Sequence, residues 1–328
     1  MFKKALTIEN VNKGYCISNN QLTFQSGREI VQYDMVGKKE SHSSTLVYYF
    51  KKFEMKGDVL VGVSTSECVF CDSQLISVEA IAIEAPVCDF SLYNDRLIVV
   101  RTDYDYSLFL SKQGIKDIFL GSIIWEAGFG ENIRVESNIA FTVSFKGVAR
   151  RNLANGEVQW SVEKDSGRYL PELVGVADDT VIFCFKGLDK IAAFDIKTGK
   201  VKYEIKTFAK GLCIDEEKGL LHQMLVNYAA YDLLTGELKD NYQDFSYFES
   251  VGIETQRSNY VLEGGHIITT DRKEGIIGAF NTLTHKFDWV HKMGGVSFPS
   301  PAPIVYQDPY LLLYDNLGAL HIFERSVE

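Results

Sequence analysis

Cysteines, histidines and close-set acids are the side chains of this sequence that could do chemistry, and their spacing fixes no reaction. Cys68-Val69-Phe70-Cys71 has the C-x-x-C spacing of half a zinc site, but such a site needs two further ligands at suitable spacing. On a strand the two thiols point to opposite faces, so ordinary strand cysteines are expected. The histidines, at 42, 222, 266, 285, 291 and 321, form no H-E-x-x-H or His-x-His element, and His285 and His291 are expected in loops flanking a strand. Asp103/Asp105, Asp178/Asp179 and Glu216/Glu217 are expected to be solvated turn acids. No G-x-S-x-G elbow, Walker loop or G-x-G-x-x-G is present, and Gly128-Phe129-Gly130 lacks a third glycine and a following helix. No catalytic, metal-binding or cofactor-binding residue is assigned.

The elements that position these residues come from a degenerate repeat. Its best copies are Ala193-Phe194-Asp195-Ile196-Lys197-Thr198-Gly199 and Ala230-Tyr231-Asp232-Leu233-Leu234-Thr235-Gly236, with weaker copies at 150–156 and 279–285. If the polar residue closing each strand is the mark, the series is Asp34, Asp72, Ser111, Asn152, Asp195, Asp232, Asn281 and Glu324, at intervals of 37 to 49 residues. A period near forty built only from strands signals a radial array of four-stranded units. In the fifth unit, Leu173–Ala177, Thr180–Phe185, Lys190–Asp195 and Val201–Ile205 read as four strands split by polar turns. Trp160, Tyr203 and Trp289 follow the turns at 156, 199 and 285, and an aromatic there would wedge between adjacent sheets. No long 3.6-period stretch with helix caps appears, so the fold class is all-β.

The pattern D-x-x-T-G-x-x-x-W/Y resembles the repeat of propellers related to pyrroloquinoline-quinone enzymes and WD-repeat scaffolds, well over 147–290 and loosely outside it. The resemblance implies a single β-propeller; eight marks imply eight blades of about four antiparallel strands, with seven as the alternative. The quinone enzymes use a tryptophan floor, acidic calcium ligands and a disulfide between adjacent cysteines. This chain has no Cys-Cys pair, and Trp125, Trp160 and Trp289 fit two repeat positions and one loop. The quinone activity is therefore not carried over. Glu324 leaves only four residues after it, so Phe2–Glu9 is expected to supply the outer strand of the C-terminal blade.

With 46% apolar and 24% charged residues, the chain has the composition of an ordinary soluble globular protein. The unbroken repeat argues for one domain over 1–328, and Pro299–Pro303 for a stiff lead into the last blade. The start lacks the apolar core of a signal peptide and the six cysteines are scattered, which favours a cytoplasmic protein with free thiols. A net charge of -10 argues against nucleic acid and anionic membranes and mildly favours a basic partner.

Two functions are expected from this pattern. One is a non-catalytic protein-binding propeller, monomeric in isolation: an adaptor, an assembly factor, or an acidic inhibitor of the immunity-protein type. The other is a hydrolase or lyase acting on a sugar or small metabolite at the central channel. For the binder, one face is expected to gather the loops 102–106, 121–132 and 240–253. These carry the partner-binding candidates Tyr104, Tyr106, Trp125, Phe129, Tyr242, Phe245, Tyr247 and Phe248 among Asp103, Asp105, Glu126 and Asp244.

Overall fold

The structure, a computed structural model, describes residues 1–12, 15–45, 50, 52–56, 59–64, 67–72, 75–82, 87–93, 97–105, 110–118, 120, 122–164, 169–208, 210–225, 227–253, 260–271, 275–299 and 304–326. Among them lie eight four-stranded antiparallel sheets, the number implied by the eight marks.

One compact unit, Asn10–Asp165, holds the first four sheets. Their strands are Tyr15–Ser18, Gln21–Ser26, Glu29–Asp34 and Lys39–Thr45; Lys52–Lys56, Val59–Val63, Glu67–Cys71 and Ser77–Ala82; Val87–Tyr93, Leu97–Asp105, Leu110–Asp117 and Ile123–Glu126; and Asn132–Glu136, Ile139–Ser144, Gly147–Arg151 and Val158–Glu163. The other unit, Met1–Glu9 with Ser166–Glu328, holds the remaining four. These are Glu172–Ala177, Thr180–Phe185, Lys190–Asp195 and Val201–Lys206; Leu212–Asp215, Leu220–Met224, Tyr228–Asp232 and Leu238–Tyr242; Val261–Glu263, His266–Thr270, Ile276–Asn281 and Lys286–Lys292; and Ile304–Gln307, Tyr310–Tyr314 and Leu320–Arg325 with Phe2–Ile8.

The last sheet bears out the expected role of the N-terminal segment. Phe2–Ile8 runs antiparallel to Leu320–Arg325, with Phe2 opposite Arg325 and Ile8 opposite Leu320. It satisfies an edge that the chain's last strand would leave unpaired. Phe2 also packs on Trp289, ring centroids 5.5 Å apart, inside a core with Phe323, Ile277 and Leu311.

Side-chain caps at the marks explain the repeat. Asp195 Oδ1 accepts from the Lys197 and Thr198 amides at 3.1 and 2.7 Å and from the Thr198 hydroxyl at 2.7 Å. Asp232 does the same with Leu234 and Thr235. Asp34, Asn152 and Asn281 cap their turns through the same local Asx geometry. The third mark needs correction. Ser111 lies near the start of its strand; the strand ends at Asp117, which caps the turn through the Leu120 amide at 3.0 Å.

That shift changes the role of Trp125. It stands eight residues after Asp117, as Trp160, Tyr203 and Trp289 stand eight after Asn152, Asp195 and Asn281. All three tryptophans therefore occupy the repeat's aromatic position on fourth strands, and Trp125 is not in a loop. Trp125 Nε1 donates to the Leu153 carbonyl at 2.8 Å, in the turn of the following sheet. Tyr203 makes the equivalent bond to Leu233 at 3.0 Å. Trp125 and Tyr203 wedge between adjacent sheets as predicted and also tie their own sheet to the next turn.

Two further expectations are corrected. Thr102–Asp105 belong to a strand rather than a loop, with Asp103 opposite Lys112 and Tyr104 opposite Ser111. His291 lies within Lys286–Lys292 rather than in a loop, its ring stacked on Trp289. The insertion after the sixth sheet contains a helix, α1 (Phe245–Val251).

Candidate interaction surface

Helix α1 forms where the sequence caps it at both ends. Asp244 is the N-cap, accepting from the Tyr247 amide at 3.1 Å and the Ser246 hydroxyl at 2.7 Å. Those bonds, the hydroxyl first, hold its carboxyl below the usual range. Gly252 ends the helix at φ 79°, a left-handed conformation that glycine adopts without a Cβ clash. Between the caps, Phe248 is 3% exposed and enters a core with Met224, Tyr228, Ile267 and Phe280. Tyr247 is half-buried, and its hydroxyl accepts from the Phe287 amide. One side of the helix is thus locked onto the sheets, and Phe245, at 52% exposure, is left facing solvent. Tyr242 is half-buried and reaches Asp244 Oδ2 at 3.3 Å.

In the unit 10–165, Trp125 is only 7% exposed, and Phe129 is 46% exposed at a turn. That turn is pinned on both sides. The Gly130 amide donates to Ser111, and the Gly128 amide to Glu131, whose carboxylate pairs with Arg151 at 3.0 Å. Glu126 lies on the strand beside Trp125 and pairs with Lys112. The side chains of Asp103, Tyr104 and Asp105, and all of Tyr106, fall outside the described residues.

The aromatic surface therefore separates by role. Trp125 and Phe248 are buried packing groups, because the repeat and the helix both turn them inward. Tyr242 and Tyr247 are anchored at the margin, and Asp244 serves as a cap. Phe129 and Phe245 are the described rings of the set that remain exposed, one in each compact unit.

The cysteines behave as strand residues. Cys68 and Cys71 are fully buried in different clusters, one with Val61 and Val63 and the other with Leu60 and Val69. Burial pushes their thiols up to about 12 and about 11, far from the thiolate that metal binding needs. Among the described residues no group of three or more His, Cys, Asp or Glu side chains could hold a metal ion.

A second cluster escaped sequence reading. His285 Nε2 lies 2.7 Å from Asp240 Oδ2, with Tyr242 stacked on the imidazole at 4.9 Å. Behind it, buried His222 places Nδ1 3.0 Å from the Tyr228 hydroxyl, and Tyr228 packs on His285 at 5.4 Å. The signal was available: Asp240 and His285 stand where the repeat puts its aromatic and its turn glycine.

Solved structures supply the comparison. BamB from Moraxella catarrhalis aligns at TM-score 0.68 and 13% identity, covering 99% of this chain and 100% of that one. A europium-containing methanol dehydrogenase aligns at TM-score 0.65 and 9% identity, covering 98% and 93%. Sqt1 of Saccharomyces cerevisiae aligns at TM-score 0.63 and 11% identity, covering 98% and 100%. The fold is that of an eight-bladed β-propeller. No protein family matches the sequence, and no curated protein does. The likeness to quinone-enzyme propellers holds for the fold. The residues do not fit a quinone site: the three tryptophans stand at the repeat position on fourth strands, and the described acids gather no calcium ligands. A propeller shared by a dehydrogenase and proteins of other kinds does not by itself carry a function.

Proposed function

We propose that this propeller is a non-catalytic protein-binding module. The observation that carries the proposal is helix α1: Phe248 and the Tyr247 hydroxyl fix it to the sheets while Phe245 stays exposed. A ring held in place in the free protein loses little freedom on binding, which favours an interface anchor. Phe129, on its pinned turn, is the matching anchor in the unit 10–165. Tyr242 and Tyr247 at the margin and Glu126 beside Trp125 complete the proposed contacts. Asp103, Tyr104, Asp105 and Tyr106 remain in the proposal on sequence alone.

The net charge of -10 supports a basic protein partner over nucleic acid or an anionic membrane. An adaptor, an assembly factor or an acidic inhibitor of the immunity type all fit that chemistry. Among the described residues no helix is long and apolar enough to cross a membrane. Among the described residues Cys68, Cys71 and Cys213 are free thiols, which supports a reducing, cytoplasmic setting. One domain over 1–328, monomeric in isolation, belongs to the same proposal and is checked by a single cooperative unfolding transition of a monomer.

The test is affinity capture from the native cell with wild type, Phe245→Ala and Phe129→Ala. Partner recovery is expected to fall by about 1–3 kcal/mol of affinity in each variant at unchanged melting temperature. Undiminished recovery in both variants would place any docking elsewhere.

A further inference from the structure

A buried polar thread crosses from the sixth sheet to the seventh. It begins at Asp215, the last residue of the sixth sheet's first strand, whose Oδ1 accepts from the Lys218 amide at 3.0 Å. Asp215 Oδ2 lies 3.6 Å from His222 Nε2, beyond hydrogen-bond length. His222 is 1% exposed, and Nε2 has no hydrogen-bond partner among the described residues. Its Nδ1 meets the Tyr228 hydroxyl at 3.0 Å. That hydroxyl also reaches Thr282 of the seventh sheet, and Thr282 donates to the Gly265 carbonyl at 2.9 Å.

Both neutral tautomers of the imidazole can use the close contact to Tyr228. The tautomer with its proton on Nε2 turns an N–H rather than a lone pair toward the Asp215 carboxylate, and its Nδ1 accepts from the Tyr228 hydroxyl. In that tautomer a second proton enters at Nδ1, and the His222–Tyr228 bond reverses, so that Nδ1–H donates to the phenol oxygen and the phenol proton turns to Thr282. No covalent bond changes; one proton is taken from solvent. The cost is a charged imidazolium in a nearly dry site, with its nearest carboxylate too distant to bond.

The charged and titratable groups around the ring come from every packed element. Asp215 and Cys213 come from the first strand, Lys218 from the turn, Tyr228 from the third strand and Asp240 from the fourth, with His285 beyond Tyr228 on the seventh sheet. Asp215 and Asp240 favour the charge and Lys218 opposes it, but burial is the largest influence and holds His222 below the usual histidine range.

We propose that His222 is a proton sensor built into the junction of the sixth and seventh sheets, and that its protonation loosens that junction. Tyr228, the hydrogen-bond partner of His222, shares its core with Phe248 of α1 and with Phe280 and Ile267 of the seventh sheet. Acidification therefore also loosens the seat of α1. The inference does not depend on the protein-binding proposal, since it concerns the free protein.

The sign follows from linkage. A histidine held low in the folded state leaves the unfolded state binding more protons as pH falls below about 6.5, so stability drops with acidification. The test is amide hydrogen exchange, corrected for intrinsic rate, between pH 7.5 and 5.5. Segments 220–232 and 276–292 are compared with 139–151 in the other unit. Wild type is expected to lose protection in the first two segments by up to about tenfold per pH unit, with 139–151 unchanged. In His222→Gln that local pH dependence should vanish; an equal slope in wild type and variant overturns the proposal. Should the variant not fold, an NMR titration of the wild-type His222 imidazole decides. Titration below the normal histidine range together with the loss of protection supports the sensor. An imidazole already charged at pH 7.5, or one that titrates while both segments stay protected, overturns it.

Discussion

Trp125 fills the space that a side chain at Gly156 would need. A Cβ built on Gly156 falls 2.6 Å from Trp125 Cγ, and one on Gly236 falls 2.4 Å from Tyr203 Cδ2. Both glycines have positive φ, +74° and +73°. The turn glycine and the preceding sheet's aromatic are thus one packing device. Each residue type in the repeat is required by the other.

Alanine at Gly156 or Gly236 is expected to cost about 2–4 kcal/mol, combining a left-handed backbone with overpacking against a ring. Gly219→Ala is the control. Its φ is +62°, but nothing lies within 4 Å of its Cβ, so only the backbone part, about 1 kcal/mol, should appear. Urea unfolding of the three variants checks the difference. Equal losses would show that the ring contact contributes nothing.

Burial divides the aromatic candidates into two energetic classes. Trp125→Ala and Phe248→Ala should each destabilise by about 3–5 kcal/mol, because each leaves a cavity in a packed core. Phe129→Ala and Phe245→Ala should stay within about 0.5 kcal/mol of wild type. Thermal unfolding of the four variants separates the classes, and a large loss at Phe245 would mean that the ring supports the fold.

The regular parts of this architecture were legible because they are local. Asp195, Thr198 and Gly199 specify their turn within five residues, and the fifth sheet's strands match their predicted spans to within a residue or two. The third sheet misled because its turn lacks the Thr-Gly pair. Ser111 then took the mark that belongs to Asp117, and Trp125 fell out of register by the six residues between them. Helix α1 was not foreseen because its seven residues are too few to show a helical period. Which rings it buries depends on Phe280 and Phe287, more than thirty residues away in sequence.

The turn caps predict a response to acid. The Thr198 hydroxyl and amide hold Asp195 below the usual aspartate range, and the Thr235 amide and hydroxyl do the same for Asp232. A depressed carboxyl stabilises the fold above its unfolded value, near pH 3.9, and that contribution fades as pH falls toward the folded value. Asp195→Ala should therefore lower the melting temperature at pH 7 and flatten its decline below pH 4. Parallel wild-type and variant curves of melting temperature against pH would contradict the cap's role.

The sixth and seventh sheets replace the aromatic–glycine device with a charged one. Asp240 stands eight residues after Asp232, where Trp125 and Tyr203 stand in their sheets, and His285 stands four after Asn281, the position of Gly156 and Gly236. Their side chains meet at 2.7 Å, and His285 holds the positive φ, 58°, that glycine holds elsewhere. A ring at 240 would collide with the imidazole, and a glycine at 285 would leave the carboxylate without its partner. Each single exchange should therefore destabilise: Asp240→Tyr by overpacking, and His285→Gly by losing the bond despite easing the backbone. Together they rebuild the junction found between the fifth and sixth sheets, so the double variant should be more stable than the sum of the single losses implies. A coupling of about 0.5–3 kcal/mol is expected for residues in direct contact. Strict additivity in the double-mutant cycle would show that the two positions do not form one device, and that the glycine position is set by its backbone alone.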